Sequence, residues 1–176
     1  WDPTLPEVNS NAERSAIYDD MNRVLAALHK VDVDKVGLGD FGRPGNYFER
    51  QVGRWTKQYR ASETEHSEAM ETLMAWLPAN MPADDGANSL VHGDYRLDNL
   101  MFHPTEPRII AVLDWELSTL GHPLADLAYQ VMAWQLPGDG SLRGLLEVNR
   151  ADYGIPGDQA YIDRYCERTG RSSIDN

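Results

Sequence analysis

The sequence predicts an α+β chain that is mostly helical. Two observations carry that reading. Apolar residues recur at helical period in three stretches of the first half. Short apolar runs, broken by prolines and polar residues, begin near Ser89. Ser10 and Glu13 stand at capping-box spacing ahead of Ile17, Met21, Val24, Leu25 and Leu28. That stripe predicts an amphipathic helix over 11–30. Gly37, Gly39, Gly42, Pro44 and Gly45 then mark a loop. Tyr47 or Phe48, with Val52, Trp55 and Tyr59, predicts a second helix over 45–60. Ser62 and Glu65 repeat the capping spacing before Met70, Leu73, Met74 and Leu77. The third helix is therefore expected over 65–78, ended by Pro78 and Pro82.

The runs 89–91, 99–102 and 108–113 read as strands. Two prolines between the last two make them a hairpin with a longer loop. Pro123 suits the first position of a helix reaching about Leu136, before Pro137-Gly138. Weaker helical patterns lie near 141–152 and 157–168. The first three helices are expected to pack around the hairpin and the helix from Pro123.

The 176 residues suffice for one ordinary domain. Asp and Glu number 28 against 16 Lys and Arg, a formal charge of -12 that disfavours a nucleic-acid partner. One cysteine, Cys166, excludes an internal disulfide and argues against a Cys-based zinc site. No apolar run approaches a membrane span and no signal peptide is visible, so a cytoplasmic location and no membrane partner are expected. The start at Trp1 and the stop at Asn176 read as the ends of a piece of a longer protein.

Polar residues concentrate where the strands are. His92-Gly93-Asp94 is followed by Asn99 and, at the end of the next apolar run, by Asp114. An Asp, an Asn five residues on and a later Asp form the set that phosphoryl transfer needs. Asp94 would accept the proton of an attacking hydroxyl. Asn99 and Asp114 would offer neutral and charged oxygens to Mg²⁺ beside the phosphates of ATP. A hairpin between them returns both side chains to one rim.

These motifs resemble the aminoglycoside phosphotransferase and choline kinase-like family, whose fold is protein kinase-like. His92-x-Asp94-(x)4-Asn99 resembles its H-x-D-x-x-x-x-N. Asp114-Trp115-Glu116 stands where protein kinases carry D-F-G, and Gly121 to Ala128 resembles a downstream G-[DH]-P-x-x-D-L-A element. The wider run resembles the subgroup fused to acyl-CoA dehydrogenases in eukaryotes. The resemblance implies an ATP- and Mg²⁺-dependent phosphotransferase acting on a hydroxyl of a small molecule. That acceptor would be an acyl or hydroxyacyl-type metabolite or an aminoglycoside-like compound. It implies that Asp126 braces the catalytic loop through backbone amides, with His92 holding the same loop. Arg96 is read either as a phosphate contact or as an ion pair with Asp98, and Glu116 as a metal contact through water or a solvated turn residue. Tyr47, Arg50, Trp55 and Tyr59 lie on a helix that faces the acceptor in relatives, packing being the stronger reading.

No Gly-rich strand pair with a following Lys precedes His92. The chain is therefore expected to be a C-terminal lobe without its N-terminal lobe, inactive alone. Residues 11–88 would form a helical subdomain; 89–176 would hold the catalytic loop, the metal-binding hairpin and the following helices. A lobe short of its last helices would expose apolar surface, so a homo-oligomer is an expected state. Two other functions compete. One is a non-catalytic binding or scaffold domain. The other is a metal-dependent hydrolase using His92, Asp94, Asp114 and His122.

Overall fold

The computed structural model describes residues 2–139 and 143–174. Helix α1 (Asn11–His29) starts where the cap places it, with the Ser10 hydroxyl accepting from the Glu13 amide at 3.2 Å. Its stripe buries Ile17, Met21 and Leu25 against α6 (Asp158–Thr169), together with Tyr18. Burying such side chains is worth roughly 1.5–3 kcal/mol each, which makes α1 the spine of the core. Leu100, Ile109, Leu127, Trp134 and Tyr161 complete the same cluster.

Helices α2 (Tyr47–Ser62) and α3 (Glu68–Ala79) form as expected but bury no residue. They pack on each other, tied by the Arg60 guanidinium to Glu63 and Glu71. This corrects the expected packing around the hairpin. The start of α2 meets the rest of the chain. There the Tyr47 ring lies so close to Gly121 that a β-carbon on that glycine would collide with it. The cap of α3 is Ser67, whose hydroxyl accepts from the Met70 amide, and not Ser62. Ser62 instead donates to Gln58 O at the end of α2. Pro78 sits inside the last turn of α3, since the missing amide hydrogen bond and ring clash fall where the helix is ending anyway.

Strand β1 (Ser89–Val91) leads to the loop that carries His92 and Asp94. Strands β2 (Leu100–Phe102) and β3 (Ile109–Val112) make the expected antiparallel hairpin, with Leu100 opposite Val112 and a bulge near Phe102. The sequence reading missed β4 (Thr119–Gly121), which pairs antiparallel with β1, Leu90 opposite Leu120. Helix α4 (Leu124–Trp134) follows directly, with Pro123 as its cap.

The helix expected over 141–152 does not form. Residues 141 and 142 lie outside the described residues; from 143 the chain turns, and only Arg150–Tyr153 makes one helical turn, α5. The cause is a backbone that folds back on the end of α4. Gly144 N donates to Pro137 O at 3.0 Å and Leu146 N to Leu136 O at 3.1 Å. Gly144 itself lies against the Leu136 carbonyl, where no side chain fits. No helix among the described residues is long and apolar enough to cross a membrane.

Candidate functional site

The strand pair β1–β4 and the hairpin β2–β3 bring the predicted residues to one rim. β1 delivers His92, fully buried, whose backbone amide donates to Asp126 Oδ2 at 2.7 Å. Gly93 N donates to Asp126 Oδ1 at 2.8 Å. Both carboxylate oxygens of Asp126 are thus spent on the loop. Asp126 is 1 % exposed in the first turn of α4, where the helix dipole favours its charge. Gly93 has φ +87°, and a β-carbon there would come within 2.7 Å of Leu117 O, so only glycine fits.

The His92 ring makes a second tie. Its Nδ1 accepts from the Asp94 amide at 3.2 Å, so Nε2 carries the hydrogen and donates to Leu113 O at 2.8 Å. The residue ahead of Asp114 is thereby locked to the residue behind Asp94. Leu113 N also donates to Asn99 O at 2.8 Å. Next along the loop, buried Tyr95 anchors it to α1 through its hydroxyl and Met21 O, 2.9 Å apart.

Asn99 donates its side-chain amide to Asp94 O and to Asp94 Oδ2, both at 2.8 Å. Among the described residues its Oδ1 receives no hydrogen bond. Asp114, in the left-handed region at φ 63°, has an exposed carboxylate with no hydrogen-bond or ion-pair partner among the described residues. Two hard oxygens, one just before β2 and one just after β3, are therefore free, the donor set that suits Mg²⁺. Arg96 joins Asp94 (Nε–Oδ2 3.3 Å) and Asp98 (3.2 Å), so the ion-pair reading is what this structure displays. Glu116 is exposed in the 3₁₀ turn after Asp114. Trp115 is 40 % exposed, its ring lying 4.9 Å from that of His92.

His122 lies just ahead of the Pro123 cap of α4, with Nδ1 accepting from Leu124 N at 3.2 Å and Nε2 facing Asp85 at 3.1 Å. Burial holds this imidazole below its ordinary value, partly offset by the Asp85 carboxylate. Both ring nitrogens of His92 and of His122 are engaged, so neither histidine is free to bind a metal as the hydrolase reading needs.

Two residues of the site were missed. His29, at the end of α1, points Nε2 at Asp126 Oδ2 (3.2 Å) and Nδ1 at the Tyr165 hydroxyl (2.7 Å). A polar residue closing an amphipathic helix looks like a surface group, and only the fold reveals its buried partner. Tyr129, one turn after Asp126, lies beside Asp94; burial and that carboxylate push its phenol up. Its spacing of three from Asp126 was the available signal, since it puts both on one face of α4. Tyr129 separates two recesses. One of about 150 Å³ runs past Arg96, Asp98 and Trp134. The other, about 400 Å³, lies between α2 and α4 and is lined by Phe48, Trp55, Gly93 and Met132.

The chain is similar to known proteins over nearly all of its length. Over 176 residues the chain is 48 % identical to mouse acyl-CoA dehydrogenase family member 10, covering 99 % of this chain and 16 % of that protein. It is 46 % identical over 174 residues to rat acyl-CoA dehydrogenase family member 11, covering 96 % of this chain and 22 % of that one. It thus spans about a fifth of those relatives. A solved Ralstonia eutropha protein, classed among aminoglycoside phosphotransferases, superposes with TM-score 0.93 at 58 % identity, over 99 % of this chain and 53 % of that one. A macrolide 2'-phosphotransferase from Brachybacterium faecium shares the fold at TM-score 0.55 and 21 % identity, over 92 % of this chain and 47 % of that one. The family model described as "Phosphotransferase enzyme family" matches residues 2–163, and with the brace and rim already in place the chain belongs to that family.

Proposed function

We propose that this chain is the helical, C-terminal lobe of an enzyme that transfers the γ-phosphoryl of ATP to a hydroxyl of a small molecule. The observation that supports this most is the Asn99 amide clamped on Asp94 while Asn99 Oδ1 and the Asp114 carboxylate stay free. Asp94 orients the acceptor hydroxyl and takes its proton on a carboxylate oxygen. Asn99 fixes that carboxylate, with Tyr129 beside it, and Asp126 fixes the backbone that carries it. Asn99 Oδ1 and Asp114 are the residues that would hold Mg²⁺, with Glu116 reaching it through water. Bound there, the ion would neutralise charge on the phosphates. Arg96 swings from Asp98 to a phosphate oxygen in this reading. The acceptor is an acyl or hydroxyacyl-type metabolite in preference to an aminoglycoside-like polycation, a choice supported by the names of the two mammalian relatives. ATP as co-substrate goes with a cytoplasmic location.

The fit of the relatives to a longer chain supports a nucleotide-holding lobe supplied from outside these residues, so the 176 residues alone should transfer no phosphate. The test is Mg²⁺-dependent ATP turnover by the full-length protein. Asp94→Ala and Asp114→Ala should each lower kcat at least about 100-fold. Undiminished turnover in both variants would remove the assignment.

A further inference from the structure

The chain carries a charge of -12, yet residues 43–60 hold Arg43, Arg50, Arg54, Lys57 and Arg60 against one acid, Glu49. Arg60 is neutralised by Glu63 and Glu71. Arg43, Arg50, Arg54 and Lys57 have no carboxylate partner among the described residues, although acids outnumber bases 28 to 16. Arg50, Arg54 and Lys57 recur at helical spacing and share one face of α2. With Arg43 and the backbone of Gly45 and Asn46 they line an open recess, Glu49 being the only acid on it. The backbone at the start of α2 is already met by a carboxylate, Asn46 N donating to Asp84 Oδ2 at 2.7 Å, so the recess depends on its side-chain cations.

Arg54 belongs to this recess and also to the cleft that holds Gly93 and Tyr129 beside Asp94. The two recesses therefore share the Arg54 side chain; the cleft beside Asp94 is apolar and aromatic (Phe48, Trp55, Met132) and the outer recess is cationic. We propose that the cationic face of α2 is the subsite for a phosphate-bearing tail of the acceptor, whose hydroxyl end reaches Asp94 past the apolar wall. This rests on the phosphotransferase reading for the hydroxyl end only; the charge argument stands without it. A polycationic acceptor would meet repulsion here, whereas an anionic tail finds guanidinium groups with donors to spare.

The test is calorimetric binding of coenzyme A, a flexible chain ending in phosphates, to the full-length protein without nucleotide or metal. Kanamycin serves as the polycationic control. Arg54→Glu/Lys57→Glu should weaken coenzyme A binding about tenfold or more. Added salt should weaken binding to the wild type. The milder Arg54→Gln/Lys57→Gln variant, with an unchanged melting temperature, guards against a folding defect and should show a smaller loss in the same direction. Equal affinity of the wild type and both variants, or kanamycin binding more tightly than coenzyme A, would overturn the proposal. If the variants lose binding while ATP turnover proves independent of Asp94, the subsite stands and the phosphotransfer reading falls. If turnover depends on Asp94 but the variants bind normally, only the subsite falls.

Discussion

The loop around Asp94 and the α2–α3 pair, whose α2 borders the same cleft, are held in opposite ways. The loop is tied into the core. His92 and Tyr95 are fully buried, Asp126 takes up two loop amides, and α1 reaches in through Tyr95 and His29. The helix pair buries nothing, and Trp55 and Trp76 are 48 % and 55 % exposed. In the proposed reaction, position is thus fixed where the proton would be taken, and burial is least where the acceptor would enter. A general base needs placement to a fraction of an ångström. A wall that admits substrate needs freedom to move.

The largest effect should come from breaking the brace. Asp126→Ala leaves the amides of His92 and Gly93 buried without an acceptor, at about 1–3 kcal/mol each, and urea denaturation should show a loss of about 3 kcal/mol or more. Tyr95→Phe removes one buried hydrogen bond and should cost about 1 kcal/mol by the same measurement. A smaller, pH-dependent effect should come from His122, which joins Asp85 to the start of α4. Its folded value lies below the ordinary 6.5. Its contribution is thus fully present above that value and is lost as pH falls from there through the lowered one. The difference in Tm between wild type and His122→Asn should shrink as the medium is acidified below pH about 6.5. Trp76→Ser should change stability by about 0.5 kcal/mol or less. A loss of several kcal/mol there would mean that the helix pair is as well anchored as the loop. Native-state hydrogen exchange sharpens the contrast further: the amides of His92 and Gly93 should exchange at the global rate and those of α3 much faster.

What the sequence disclosed follows the same division. Helix α1, the β2–β3 hairpin and the Asp126 brace were legible because a stripe, a Pro-broken strand pair and an ordered motif each encode them locally. Strand β4 was not legible, since three residues after a 3₁₀ turn are too few to show a period. The apolar stripes of α2 and α3 correctly predicted helices and wrongly predicted burial. Periodicity reports a face suited to packing, not whether anything in the chain covers it. His29 and Tyr129 escaped because their roles depend on partners 97 and 35 positions away, Asp126 and Asp94. The cap at Ser67 was missed for a simpler reason. Ser62 has an acid three residues on, Glu65, whereas Ser67 has Met70 there, so the spacing pointed to the serine that instead closes α2.

The central claim is that the free oxygens of Asn99 and Asp114 act as one metal site beside Asp94. Electron paramagnetic resonance of Mn²⁺ with ADP and the full-length protein tests it most directly. The account expects one tightly bound ion per protein, lost in Asp114→Ala and weakened about tenfold or more in Asn99→Ala. Unchanged Mn²⁺ binding in both variants would contradict it.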